Sequence, residues 1–437
     1  MEALLGMAKK VCDKAEVFSV EHSDNSVIFE NAKLNRIESK LQSGFSLRII
    51  KDKKLGFAYT RNLMDRQEVL QNALDSLQGG VEASYDLPLT EKLPRLDTYD
   101  PSIESLTGSA LVEESTRVCD ILRSKTDAEI AAISLKHIGS TRIINTEGTD
   151  VSIKSAEYGM VVEVAYPGSG FGIWRPFESK RFEKMPDSTV DELVKLYHAS
   201  SKVVTPKGGK MKVMFTPNSM VTLNWRILSG TSSKSVYEKI SPIAGKVGEK
   251  VFHEKITIYD DPLNDEHPGA RSFDDEGVEC KPLTLVENGV LKSFYYDLDY
   301  GKKLNVKPTG HGYRTTRWGG DPVGLKPVPA LSHLTIKPGN KSFSDLIKSI
   351  DKGVIVENAL GFHSGNIPNG DFSVGLNPGL YVENGEIVGR VKDAMVAGNI
   401  YQTLKKVVDI GDRLAPAHGG GWVPVILCDE VSVATKS

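Results

Sequence analysis

Residues 361–390 read GFHSGNIPNGDFSVGLNPGLYVENGEIVGR, with seven glycines and two prolines among single aromatic and acidic residues. Glycine at such short intervals supplies positive φ and close backbone approach, so the first half, 361–375, is expected to be an ordered loop and not a helix. The second half alternates apolar and polar residues on both sides of Asn384-Gly385, the preferred centre of a type I′ turn, and predicts a hairpin. A rigid loop beside a hairpin can present side chains to a ligand. His363, Asn366 and Asp371 are the candidates, and hydrogen bonding to the loop's own backbone is the competing use of the same groups.

The same Asn-Gly signature recurs at Glu287-Asn288-Gly289, between Leu283–Val286 and Val290–Phe294. Its likeness to 383–385 raises the prospect of a duplicated β unit. Strand alternation also marks Ala15–Glu21, Ser26–Asn31 and most of 129–164, and Gly44–Ile50 with Leu55–Thr60 reads as a hairpin. Helical spacing marks the N-terminus, 64–79, Ser109–Lys125, Ser188–Ser200 and Ser219–Ser229. A further helix is expected within 391–408, a strand over Ile256–Ile258, and a strand-like tail over Trp422–Val433. The breaker-rich segment Pro206–Lys210 sets the expected boundary. The fold class expected is α+β in two domains: a mixed N-terminal domain over 1–206, and a strand-dominated, mainly antiparallel C-terminal domain over 207–437.

Composition narrows the function classes. The chain has 437 residues, 40% hydrophobic and 25% charged, with a formal net charge of -3. That balance lacks the basic footprint of a nucleic-acid surface, so direct nucleic-acid contact is not expected. No apolar run approaches a membrane span, and the lysine-bearing N-terminus is unlike a signal peptide. Cys12, Cys119, Cys280 and Cys428 are scattered without a CxxC, as in reduced cytoplasmic proteins.

No recognised catalytic spacing emerges from the residues alone. The one His-Glu pair, His253-Glu254, has Thr257 and Ile258 where a zinc helix would place its second His. His267, His311 and His418 fall in turns or loops. Pro167–Pro176 is glycine-rich but lacks the surroundings of a phosphate loop, and Asp274-Asp275-Glu276 reads as a solvated acidic turn.

Several motifs, in order along nearly the whole chain, resemble the TldD/PmbA family of peptidases and DNA-gyrase modulators. They are GFSLRII with GFAYT (44–60), FDDEGV (273–278), LVENGVLKSFYYDLDYGKKL (285–304), PTGHGYR (308–314), GFHSGNIPNGDFSVG (361–375) and VENGEIVGRVKDAMVAGN (382–399). The resemblance implies two kinds of chain, TldD-type with a His-Glu-x-x-x-His helix and a later Cys binding zinc, and PmbA-type (TldE) without them. Aligned on Ala244–Glu249, the zinc helix would fall on Asn224–Ser229. There Asn224, Arg226 and Ser229 replace the ligands and base, and no Cys stands near Leu414–His418.

The resemblance therefore implies a cytoplasmic, PmbA-like subunit with no cofactor of its own. It would pair with a zinc-bearing TldD-like chain, or with itself, in proteolysis of small or unfolded peptides. His363, Asn366, Asp371 and His311 would then face peptide or partner. Two alternatives stay open: a stand-alone metallopeptidase using His311, His363 and His418, and a gyrase-type binding protein without proteolysis.

Overall fold

The computed structural model describes residues 1–170 and 172–435. Its N-terminal sheet has six strands: β1 (Lys14–Glu30), β2 (Lys33–Lys51), β3 (Lys54–Thr60), β4 (Glu129–Asn145), β5 (Asp150–Ala165) and β6 (Gly172–Ser179). Their order is β3-β2-β1-β4-β5-β6, all antiparallel. The expected hairpin at 44–60 is there, turning on Asp52 and Lys53, both at positive φ. The two strand segments read separately at 15–21 and 26–31 are one continuous strand, because His22 to Asn25 pair with both neighbours.

Helices cover one face of this sheet. Gly108–Lys125 and Asp187–Ala199 bury Leu111, Val118, Leu122, Val190 and Leu193 against Val27, Phe29, Tyr158 and Met160. The first helix is short, Glu2–Ala8; it and Arg66–Asp75 close the other end over Val17, Leu47 and Ile49. Of the glycine-rich segment at 167–176, residues 167–169 form a turn and 172–176 belong to β6; Phe171 lies outside the described residues.

The C-terminal half is built on a ten-stranded sheet with Gly209–Phe215 near its centre. That strand runs parallel to Lys352–Val356 and antiparallel to the tail strand Ile426–Thr435. A second six-stranded sheet contains Ile258–Asp260, Leu283–Glu287 and Leu334–Ile336. A core of Phe215, Leu223, Phe252, Leu285, Val374 and Val396 lies among these elements. The fold class is α+β with a strand-rich C-terminal half, as expected.

Both predicted Asn-Gly hairpins form. Asn288 and Gly289 have φ of 49° and 80°, and Asn384 and Gly385 have 52° and 79°. They belong to different sheets, so the duplicated β unit is not seen. The structure also corrects three local readings. Of 391–408, Ala394–Asn399 is a strand between Asp371–Leu376 and the tail, and only Ile400–Thr403 is helical. Ala394 and Val396 point inward with Met395 between them exposed, a period of two that the surrounding helix formers obscure. Asp371–Leu376, read as loop, is a strand. The strand expected at Ile256–Ile258 starts at Ile258 and runs to Asp260. Among the described residues no helix is long and apolar enough to cross a membrane.

Candidate functional site: a buried arginine and an aromatic cleft

The helix Val221–Thr231 follows the central strand Gly209–Phe215 and is buried on nearly every side. Such a helix is normally apolar all round. This one carries Asn224, 2% exposed, and Arg226, with no exposed surface. A buried guanidinium costs several kcal/mol unless its N–H groups are satisfied, and here they are. Arg226 donates to the carbonyls of Thr222 (2.8 Å), Phe362 (2.7 Å), Ser364 (2.6 Å) and Asp371 (2.7 Å). Three of these lie in the glycine-rich loop, which is thus tied to the helix by one side chain. Burial and the nearby Arg317 lower the Arg226 pKa to about 10, opposed by Asp371, so the group remains a cation at neutral pH.

The loop residues divide by role. The Asp371 carboxylate accepts from Asn399 Nδ2 (2.8 Å) and Asn369 Nδ2 (2.9 Å), which hold its pKa below the usual range. Asn366 closes the loop on itself, its Oδ1 accepting from Asn369 N and its carbonyl from Asp371 N. His363 is exposed and lies 5.6 Å, centroid to centroid, from Trp318. His311 does not join them. It is fully buried, with Nδ1 2.8 Å from Thr309 O and Nε2 3.3 Å from Asp260 Oδ2. Its backbone carbonyl accepts from Ala330, so it stands behind one wall of the cleft described next.

Sequence reasoning missed the aromatic cluster around the helix. The Trp225 ring lies 5.2 Å from Trp318 and 5.0 Å from Phe362, both edge to face. Phe362 is 5.4 Å from His418, which meets Trp174 of β6 at 5.8 Å. Burial lowers the His418 pKa. Arg317 lies over the Trp225 ring at 5.2 Å. Trp318 is 70% exposed at the rim. Trp225, Arg317 and Trp318, with Ser229, Tyr295 and Leu331, line a cleft of about 620 Å³, and Phe362 packs on the two tryptophans beside it. Aromatic walls with a few polar groups suit a chain-like ligand with apolar side chains. Trp225 and Trp318 are 93 residues apart, so no local spacing could announce the cluster.

A zinc site needs imidazole, thiolate or carboxylate donors. Counted from Asn224, the Glu of a His-Glu-x-x-x-His motif falls on Trp225, not on Arg226 as expected above, and its second His on Ser229. The Asn224 amide is enclosed with neither polar atom hydrogen bonded. Segment 414–421 does pack on this helix: a Cβ on Gly419, at φ +85°, would lie 3.1 Å from Val221 Cγ2 and 3.6 Å from the Trp225 indole nitrogen. It brings His418 but no Cys. The donor set does not fit a zinc ion. Among the described residues no three His, Cys, Asp or Glu side chains come together to hold a metal ion.

Residues 208–435 match the description PmbA/TldA metallopeptidase C-terminal domain, and residues 15–83 match domain 1 of the same family. The chain belongs to the PmbA/TldD family. The family fold is seen in TldE from Thermococcus kodakarensis, similar at TM-score 0.91 and 25% identity over 99% of both chains. A candidate modulator of a DNA gyrase from Thermotoga maritima is similar at TM-score 0.85, also 25% identical over 99% of both. A metalloprotease of Methanothermobacter thermautotrophicus is 26% identical, covering 89% of this chain and 85% of its own. The likeness to TldE agrees with a TldE-like place in the family.

The family's acidic and His-Gly motifs meet in a second cluster, where the structure corrects the reading of 274–276 as a solvated turn. Asp274, Asp275 and Glu276 are all buried. Asp274 accepts from the backbone of Glu276, Val278 and Gly312, and Asp275 from Arg314 N. Glu276 meets Arg48 at 2.7 Å, Arg48 meets Glu16 at 2.6 Å, and Glu16 meets Arg314 at 3.0 Å. This chain of charges joins β1 and β2 to the C-terminal half. Burial raises the pKa of both Asp274 and Glu276, the latter opposed by Arg48. A Cβ on Gly312 would come within 2.3 Å of Glu276 Oε2, so the Gly of this motif makes room for the carboxylate.

Proposed function

We propose that this chain is the TldE-like, non-catalytic subunit of a metallopeptidase acting on small or unfolded peptides in the cytoplasm. Zinc and the attacking water belong to a TldD-like partner, and this chain contributes a peptide-facing wall. The observation that carries the reading is the content of Val221–Thr231. Where the zinc-bearing relatives would place ligands and base it has Asn224, Trp225 and Ser229, and its one charged side chain, Arg226, is committed to loop carbonyls. The helix serves as a brace for the loop 361–371 and as the floor of an aromatic cleft.

A peptide lying over Trp225 and Trp318 would be held by apolar side-chain contacts and by main-chain bonds to nearby strand edges. Arg317 and Ser229 line the cleft, and His363, beside Trp318, and Asp371, at the loop's end, would face the ligand or the partner from outside it. The stand-alone alternative is not favoured, because His311 is enclosed with Asp260 while His363 and His418 pack on Phe362, and among the described residues the three histidines form no metal-holding group.

The test compares the purified chain, a zinc-bearing relative, and the two together, measuring bound zinc and peptide cleavage. Cleavage only in the mixture, with zinc on the relative alone, is the expected result. Chelator-sensitive cleavage by the isolated chain would sink the proposal.

A further inference from the structure

A second cavity, of about 570 Å³, lies on the seam between the N-terminal and C-terminal halves and shares no lining residue with the aromatic cleft. β6 and the helix Asp187–Ala199 supply one side of it. The segments 216–218, 342–344 and 411–416, with Trp422, supply the other. Cavities of this size at the junction of two domains are where small ligands bind.

The walls are already held in place. Arg175 of β6 meets Glu357 at 2.8 Å and Glu192 at 3.4 Å. Asn218 Nδ2 donates 2.7 Å to the Trp174 carbonyl and ties the two halves together. The Trp422 ring stacks on His267, with centroids 3.7 Å apart and planes 12° from parallel, so the indole is fixed by its neighbour. A ligand entering such a cavity is spared most of the cost of ordering it.

The charges specify the occupant. Arg175 is neutralised by Glu192 and Glu357. Glu178 and Arg413 are both exposed, and among the described residues neither side chain has a hydrogen bond or an ion pair. The carboxylate of Asp412, also on the cavity wall, is likewise without either. Around these three groups the wall is apolar, with Phe177, Phe343, Leu414 and Trp422. An anion drawn to Arg413 would also meet the carboxylates of Glu178 and Asp412. An uncharged ligand would leave all three to water. A zwitterion uses both signs: an ammonium donates to Glu178 and a carboxylate accepts from the Arg413 guanidinium, while an apolar body covers the aromatic rings.

We propose that the seam cavity binds a short zwitterionic peptide, a dipeptide with apolar side chains, its ammonium on Glu178 and its carboxylate on Arg413. Glu178 belongs to the N-terminal half and Arg413 to the C-terminal half, so the ligand bridges the two. Binding is a property of this chain alone and stands whether or not the chain serves a peptidase. If it does, the ligand is of the class that peptide hydrolysis releases.

The experiment uses the full chain without a partner and titrates it calorimetrically with phenylalanylleucine. Saturable binding with a Kd of about 1 mM or tighter is expected, together with a raised thermal midpoint. The N-acetyl form and the C-terminal amide should each bind about five-fold more weakly or worse, as should glycylglycine, which lacks the apolar body. Glu178→Gln should lose the preference for the free amine over the N-acetyl form, and Arg413→Gln the preference for the free carboxylate over the amide. Each variant keeps the other preference, which shows that its fold is intact. A wild-type chain that does not saturate at millimolar dipeptide overturns the proposal. So do equal binding of the blocked and free forms, or variants that retain both preferences. Loss of binding in Trp318→Ala would place the ligand in the aromatic cleft and overturns it too.

Discussion

Arg226 and Asp371 are joined through the backbone: the guanidinium Nε donates 2.7 Å to the Asp371 carbonyl oxygen, while the Asp371 carboxylate turns to Asn369 and Asn399. The cation and the acid, 145 residues apart, share a residue without forming an ion pair. Arg226 braces the loop to the helix with three of its four bonds, and its charge strengthens each bond to a neutral carbonyl.

Replacing Arg226 by Ala leaves the carbonyls of Phe362, Ser364 and Asp371 without this donor and opens a void beneath the loop. A loss of about 3 kcal/mol or more is expected from the denaturation midpoint. Amide exchange should rise first in 361–371. Arg226→Lys, with one ammonium on a narrower stem, should recover only part of the loss. An unchanged exchange pattern in Arg226→Ala would show that the loop holds itself.

Asn224→Leu has the opposite sign. Both polar atoms of Asn224 are buried without partners, so a similar-sized apolar side chain removes an uncompensated desolvation cost. Stability is expected to rise by about 1–2 kcal/mol. A drop in stability would mean that the amide is satisfied in solution.

Trp318→Ala separates binding from folding. The indole is largely exposed, so the thermal midpoint should change little. In the mixture with a zinc-bearing relative, KM for a peptide with apolar side chains should rise about five-fold or more, with kcat less affected. The same assay applied to His363→Ala and Asp371→Ala should show weaker turnover or pairing without unfolding. Unchanged values would remove these residues from the site.

Asp297 gives a pH test. Burial, then the neighbouring Glu276, raises its pKa to about 8 from an ordinary 3.8, against its hydrogen bond from Tyr300 N. The folded state therefore keeps a proton that the unfolded chain has released. Stability from this group is fully present below about pH 4 and is lost as pH rises toward 8. Asp297→Asn keeps the capping acceptor for Tyr300 and removes the titration. It should stabilise the protein by about 1–3 kcal/mol at pH 8 and by little at pH 4. Equal effects at both pH values would exclude linkage through Asp297.

The legible parts of this chain were those fixed by neighbours in sequence. Asn288-Gly289 and Asn384-Gly385 announce their hairpins because positive φ at two consecutive residues is a local steric matter. The helix predicted at 219–229 differs from Val221–Thr231 by two residues at each end. Ala394–Asn399 was misread because Ala, Met and Val fit helix and strand alike, and membership of the ten-stranded sheet decided between them. Asp274–Glu276 read as solvated because an acidic run is costly to bury alone. Its partner Arg48 is 228 residues from Glu276, beyond any pattern along the chain.

For the site, the sequence by itself supplied the side-chain chemistry at Asn224, Trp225 and Ser229, since residue identity alone settles which donors a metal could find there. It also supplied the α+β class, because alternation and turn residues act over a few positions. The tertiary structure decided that Arg226 braces the loop, that Trp225, Trp318, Phe362 and His418 form one aromatic cluster beside a cleft, and that His311 stands behind the cleft's wall. Those outcomes depend on contacts between segments a hundred or so residues apart, where burial and hydrogen-bond satisfaction of the whole molecule choose the partners.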